Sequence, residues 1–220
     1  MNLLVIALAP VLIILIYVYV RDKYEKEPIG LLIKALFAGA LAVIPIMFVE
    51  SILSVYGGRF TGYTSVAYTA FVVAAFTEEL FKFIALYIVI WKNKEFNEKF
   101  DGIVYAVFVS LGFAAVENVM YVFQYGHGAG ISRALTAVPG HALFGVAMGY
   151  YFGLARLSPE NKSKNFLLAL IVPIGLHGLY DFILMTQHQY LLLAFIPFLY
   201  YLWRGGFKRM KEHSDNSKFR

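Results

Sequence analysis

The chain has 220 residues, 60% of them hydrophobic and 15% charged, with a mean hydropathy of +0.67. A soluble globular domain carries about 25% charged residues, so this balance excludes an ordinary soluble domain and points to a chain embedded in a membrane. Spans of about 20 residues would use most of the length and leave no separate soluble domain. The absence of cysteine excludes a disulfide framework, a thiol nucleophile and any cysteine-ligated zinc or iron–sulfur centre.

Long apolar runs cover approximately residues 3–20, 31–53, 66–91, 102–123, 134–157, 166–185 and 190–203. The expected fold is therefore all-α, a polytopic membrane bundle of about seven transmembrane helices. One transmembrane domain spans residues 1–204, and a basic tail follows over 205–220. The first run has no basic residues before it and its charges come after it, so it reads as an uncleaved helix rather than a signal peptide. Pro45, Pro173 and Pro197 fall inside apolar runs and predict kinks or local breaks.

The net charge of +5 matters less than where its cations lie. Arg21, Lys23 and Lys26 follow the first run, Lys92, Lys94 and Lys99 the third, and Arg156, Lys162 and Lys164 the fifth. The tail is basic again, whereas the intervening connectors carry only Arg59, Arg133 or nothing. Under the positive-inside rule the amino terminus is outside and the carboxyl terminus cytoplasmic, in a multi-pass membrane protein. The tail then reads as an anchor beside anionic lipid in the bilayer, with no nucleic acid as partner. His127, His188 and His213 lie in connectors or the tail and are expected to be exposed.

Several polar residues interrupt the apolar runs: Glu78, Glu79 and Lys82 in the third, Glu117 and Asn118 in the fourth, His141 in the fifth, and His177 with Asp181 in the sixth. At roughly 3 kcal/mol each, the five ionisable acids and bases among them would cost about 15 kcal/mol if left unpaired in lipid. They must face one another, lose charge or line a wet cavity. The helical rise places Glu78 roughly 18 Å below the outer end of its run, His177 roughly 13 Å, and Glu117, His141 and Asp181 roughly 6–11 Å. Four runs thus deliver polar groups to one outer layer. Glu78 and Lys82 share a helix face, as do His177 and Asp181, while Glu79 is expected to point about 100° away from Glu78. His141 heads a stripe of Gly145, Gly149 and Gly153, along which another helix can pack closely. Glu50, near an outer helix end, reads as snorkelling to the interface.

Carboxylates and histidines around a wet cleft can hold and deprotonate water. Glu78 or Glu79 is the expected base, with His177 positioned by Asp181 to move a proton or stabilise an oxyanion. Lys82, Glu117, Asn118 and His141 are supporting candidates, and spacing alone leaves the choice of glutamate open. No serine lies near the histidines in sequence at the right depth, although Ser110 can approach one in space. His177, Asp181 and Glu117 also form a conceivable zinc set. An HExxH arrangement is absent and nothing in the sequence requires a metal, so no cofactor is expected while zinc stays open.

At these positions the chain resembles the PrsW family of bacterial intramembrane proteases, related to the CAAX-prenyl-protease and bacteriocin-processing superfamily. Glu78-Glu79-Leu80-Phe81-Lys82 matches its EExxK motif, Phe113 to Asn118 its FxxxEN motif, His141 to Gly145 its third motif, and His177-Gly178-Leu179-Tyr180-Asp181 its HxxxD motif. The likeness extends to Phe100-Asp101-Gly102-Ile103-Val104-Tyr105 and to the connector Glu25-Lys26-Glu27-Pro28.

The resemblance implies a glutamate-dependent peptidase of the bacterial cell membrane. It implies the first, extracytoplasmic cut in a single-pass anti-sigma factor, leading to release of an extracytoplasmic-function sigma factor in a stress response. Glu78, Glu79 and His177 carry over as the catalytic candidates. CAAX-processing relatives have histidine where Glu117 stands and asparagine where Asp181 stands. These departures argue against a prenylated substrate and leave Asn118 or His141 as substitute oxyanion donors. Two other classes compete: a proton-coupled transporter, since intramembrane acids and histidines also form relays, and a non-catalytic membrane sensor gripping a partner helix along the glycine stripe.

Overall fold

Asn2 opens the first helix, its side-chain oxygen accepting from the Leu4 N–H at 3.0 Å, as an N-cap should. A computed structural model describes residues 2–220. It is 86% helical, with no strand among the described residues. The elements are α1 (Leu3–Arg21), α2 (Ile29–Gly57), α3 (Gly62–Ala67), a π-helical stretch (Tyr68–Phe76), α4 (Thr77–Ile90), α5 (Lys99–Leu135), α6 (Ala137–Leu157), a 3₁₀ turn (Pro159–Asn161), α7 (Lys162–Met185) and α8 (Gln189–Asp215).

Five stretches among the described residues are long and apolar enough to cross a membrane: Leu3–Arg21, Ile29–Gly57, Lys99–Leu157, Pro159–Met185 and Gln189–Asp215. One of them, 59 residues long, contains both α5 and α6. The run that carries Glu78, Glu79 and Lys82 is helical throughout but is not one of the five. The protein is a multi-pass membrane protein. Large apolar side chains on the outer faces of α1 and α2, among them Ile13, Ile16, Phe37, Leu41, Ile44 and Phe48, are exposed. Such a surface would drive a soluble protein to associate but suits lipid.

α5 is the centre of the bundle, with every residue from Phe100 to Ala114 buried. A capping box starts it: Glu98 and Asp101 each accept from the other's turn of backbone, satisfying two N–H groups that a helix start leaves free. α1, α2 and α6 pack around it. The glycine stripe of α6 is what lets α5 come so close. A Cβ built on Gly149 would lie 2.2 Å from the Gly102 carbonyl oxygen and 2.5 Å from the Ile103 Cα, both backbone. The stripe is therefore filled by the chain's own α5, which removes the surface that a gripped partner helix would need.

Three expectations change. Pro45, Pro173 and Pro197 lie inside continuous helices, because surrounding helices hold the backbone where the freed carbonyl would otherwise favour a break. The interruption comes instead at Gly126, whose φ of 80° and ψ of −166° are open to glycine and strained for other residues. Finally, α8 does not stop where its apolar run ends but continues through the basic segment to Asp215. His213 is consequently buried, its ring stacked on Tyr150 at 4.3 Å and its Nε2 3.0 Å from the Tyr150 carbonyl oxygen. His127 and His188 are exposed, as expected.

The basic connectors at the α1–α2 and α4–α5 junctions also carry buried carboxyls, Asp22 and Glu27 in the first and Glu98 in the second. Burial, reinforced by the Asp101 carboxylate, pushes Glu27 up to about 9, and burial raises Asp22 to about 6.

Replacing Gly149 by Val should lower the thermal unfolding temperature in detergent, at an overpacking cost of about 1–3 kcal/mol. Gly175→Ala, where an added Cβ meets nothing within 4 Å, should be neutral or slightly stabilising. The raised carboxyls of the connectors have their own pH signature: their stabilisation is complete below the ordinary carboxylate range and is lost as pH rises through the folded values, about 6 for Asp22 and about 9 for Glu27. Unfolding temperature in metal-free buffer should fall across that window, and Glu27→Gln should flatten the upper part of the fall.

Candidate active site

The helix that carries the paired glutamates enters the bundle through the π-helical stretch Tyr68–Phe76, a wide turn that recurs at functional sites. Immediately after it, Glu78 and Glu79 stand in the first turn of α4. Glu79 does not point away. Lys82 Nζ lies 2.8 Å from Glu78 Oε2 and 2.8 Å from Glu79 Oε1. The geometry explains it: Lys82 is four residues from one glutamate and three from the other, so its stem projects between them and a long side chain reaches both.

Two chains of polar contacts radiate from this ammonium. On one side Glu79 Oε1 is 2.9 Å from His177 Nδ1, whose Nε2 is 3.3 Å from Asp181 Oδ2. Both nitrogens of His177 thus meet carboxylate oxygens, the arrangement of a ring that donates at both. Phe144 stacks on it with ring centroids 4.8 Å apart. On the other side Lys82 Nζ lies 3.3 Å from His141 Nδ1, and His141 Nε2 lies 3.0 Å from Glu117 Oε2. Because the ammonium has only protons to offer, Nδ1 accepts and Nε2 donates, which assigns the tautomer. Arg133 closes this side, 2.5 Å from Glu117 through Nη2 and 2.8 Å from Asn118 Oδ1 through Nε.

The structure brings Glu78, Glu79, Lys82, Glu117, His141, His177 and Asp181 into one network. A cleft of about 630 Å³ opens beside it, and Glu78, Glu117, His141, His177 and Asp181 all line that cleft. Glu78 is 6% exposed; Glu79 and Lys82 are fully buried behind it. Asn118 does not line the cleft: it reaches the network only through Arg133, and its Nδ2 donates to the Ala7 carbonyl oxygen at 2.7 Å, which ties α1 to α5. Ser110 packs at Gly145 of α6, and its hydroxyl has no hydrogen-bond partner among the described residues. It is not paired with a histidine.

Sequence reasoning missed two cleft residues. Glu50 lines the cavity with Val43, Ile46 and Met47 of α2, a spacing of three and four that marks a single helix face and was the available signal. It is a wall of the cleft, not an interfacial group. Arg133, read only as a lone cation in an outer connector, returns over the site because the helix breaks at Gly126 and its last turns fold back.

A sequence profile described as PrsW family intramembrane metalloprotease matches residues 27–203. The chain belongs to the PrsW family. Proteins named Protease PrsW are similar along nearly the whole length. That of Oceanobacillus iheyensis is 40% identical over 217 residues, covering 99% of this chain and 98% of the relative. That of Bacillus subtilis is 38% identical over 209 residues, covering 93% and 92%, and that of Clostridioides difficile 35% over 224 residues, covering 99% and 94%. No solved structure matches. The chain is accordingly a protease.

The family description names a metal, and the donor set can be tested against one. One ligand atom each from Glu78, Glu79, His141 and His177 lie within 4.8 Å of one another, a nitrogen and oxygen set of the kind zinc accepts. The Lys82 ammonium, however, is bonded to both glutamates and to His141 at 2.8, 2.8 and 3.3 Å. An ion with bonds of about 2.0–2.2 Å to these atoms would need the space and the lone pairs that the ammonium takes. As arranged, these residues form an ammonium cage and do not fit a resident metal ion. This set also differs from the His177, Asp181 and Glu117 grouping expected from sequence.

Removing the ammonium leaves two buried carboxylates side by side. Lys82→Met should therefore lower stability by about 3–5 kcal/mol, read from thermal or denaturant unfolding in detergent. Lys82→Met combined with Glu79→Gln should recover part of that loss.

Proposed function

We propose that this protease makes the first, site-1 cut in a single-pass membrane anti-sigma factor, on the extracytoplasmic side, and so leads to release of an extracytoplasmic-function sigma factor. The observation that carries the chemistry is the unequal placement of the two glutamates. Glu78 fronts the cleft while Glu79 is buried against Lys82 and His177. Glu78 is then the base that takes a proton from a water in the cleft as its oxygen attacks the scissile carbonyl carbon. The π-electrons of the carbonyl move onto oxygen, and His177 stabilises that charge by turning its Nε2–H from Asp181, the longer of its two contacts at 3.3 Å, to the oxyanion while Nδ1 stays on Glu79. Collapse of the tetrahedral intermediate breaks the C–N bond, and Glu78 returns its proton to the leaving amine. Glu79 and Asp181 hold the His177 ring, and Lys82 with His141 and Glu117 holds Glu78 in place. Asn118, turned to Ala7, serves the packing of α1, so the oxyanion falls to the histidines. No step calls for a metal ion or other cofactor.

The topology belongs to the same proposal. The helical run 62–90 and the separate helices α5 and α6, added to the other four apolar stretches, make seven crossings. The alternation of basic connectors then puts the amino terminus outside and the carboxyl terminus in the cytoplasm. The cleft lies at the end of the bundle formed by Met185, Gln187 and Thr136, which on this topology is the outer end. An anti-sigma factor with its helix in the bilayer can present its extracytoplasmic flank there.

Purified protein reconstituted with a tagged single-pass anti-sigma factor should yield one product cut on the outer side. Glu78→Gln and His177→Ala should each lower kcat by at least about a hundredfold, and Glu79→Gln should do so through loss of the His177 orientation. Wild-type turnover in all three variants would refute the mechanism. Stoichiometric zinc in the active enzyme, lost together with activity on chelation, would refute the metal-free assignment.

A further inference from the structure

Two sequence stretches that match the family pattern take no part in the cleft, yet they meet at the opposite end of the bundle. Glu27, from the α1–α2 connector, accepts a short hydrogen bond from the Tyr105 hydroxyl of α5, and its carboxyl lies against that of Asp101. Asp101 Oδ2 is used by the N–H groups of Asn97 and Glu98 at 2.8 and 2.7 Å. Asp22 Oδ2 accepts from the Glu27 N–H at 3.4 Å, and Glu98 accepts from Ser217, just beyond α8. Asp22, Glu27, Glu98 and Asp101 are 1%, 3%, 4% and 0% exposed.

Four buried carboxyls in one place call for positive charge. None of them forms an ion pair among the described residues. Lys26, in the same connector, spends its ammonium on the carbonyl oxygens of Tyr19 and Asp22 at the end of α1. Unpartnered oxygens remain: Asp22 Oδ1 and Asp101 Oδ1 on side chains that are almost wholly buried, with Glu25 Oε2 and Asn97 Oδ1 beside them. A single proton shared between Glu27 and Asp101 answers that pair alone and leaves Asp22 Oδ1, Glu25 Oε2 and Asn97 Oδ1 without a donor. An ion that carries its own water answers all of them. Magnesium-type cations take only oxygen ligands, bind through one or two carboxylates and keep several waters, each a donor to a further acceptor.

We propose that the Asp22–Glu27–Asp101 cluster binds a hydrated divalent cation of the magnesium type through one or two of its carboxylates, with the remaining carboxylates and Asn97 accepting from its waters. The ion fastens the α1–α2 connector, the start of α5 and the end of the chain to one another, at the far end of the bundle from the proteolytic cleft. It is a structural site, separate from the Lys82 cage.

Manganese, a paramagnetic substitute, tests it on the full-length protein in detergent without reference to proteolysis. Electron paramagnetic resonance titration should show about one bound Mn²⁺ per chain, displaced by Mg²⁺. Binding should persist in His177→Ala and weaken about tenfold or more in Asp22→Asn. Glu25→Gln, at a half-buried position that folding tolerates more easily, should weaken it in the same direction. Mg²⁺ at a hundredfold excess over its Kd should raise the unfolding temperature of the wild type by about 5–10 °C and leave Asp22→Asn unmoved. No binding by wild type, undiminished binding in both Asp22→Asn and Glu25→Gln, or loss of binding in His177→Ala would each overturn the proposal.

Discussion

The site is organised around one ammonium. Lys82 is fully buried and satisfies Glu78, Glu79 and His141 together. Without it two adjacent carboxylates would repel each other in a medium that screens them poorly. With it they are held close and take up different tasks, Glu79 through the same Oε1 that meets the ammonium. Glu78 faces the cleft, Glu79 orients His177, and the histidine in turn is fixed by Asp181. The same charge reaches Glu117 and Arg133 through His141. Charges that would be prohibitively costly singly are tolerable as a connected set.

The scaffold supplies the precision that such a set needs. α4, α5, α6 and α7 each contribute side chains to the network, so their relative positions must be settled to within hydrogen-bonding tolerance. Backbone contact between α5 and α6 at Gly102 and Gly149 leaves little freedom there, because a surface without side chains has no rotamers to rearrange. His141 extends from the same stripe that makes the contact. The helix that packs most tightly is thus also the one that aims a histidine.

Much of this was legible from sequence, and the failures have physical reasons. Apolar run length exposed the helices, since lipid demands continuous internally bonded segments. Polar exceptions within those runs exposed seven of the eight residues singled out as site candidates as members of one network. Azimuth arguments failed at Glu79 because they track the Cβ direction and ignore how far a lysine can lean. They also gave Glu50 to the interface, although its spacing from Val43, Ile46 and Met47 places it on the cleft face of α2. Arg133 was invisible because the backbone reversal at Gly126 depends on one residue's φ, which hydropathy does not record. His213 was misjudged for a related reason: a basic, polar segment looks solvated until α8 is seen to carry it along the bundle.

The central position of α5 bears on how the protein is assembled. α1 and α2 emerge from the ribosome first, yet both make their main contacts with α5 and few with each other. Between their synthesis and the arrival of α5, the faces of Val11, Leu15, Leu32 and Ala35 that later pack in the core have only lipid as a neighbour. The bilayer can solvate them because lipid tails are as apolar as the eventual partner, so waiting exposes no aggregation-prone surface to water. Folding of this protein is therefore a replacement of lipid contacts by helix contacts around a late-arriving core. Its polar network forms only when α5, α6 and α7 are all in place, which couples the appearance of a competent cleft to completion of the bundle.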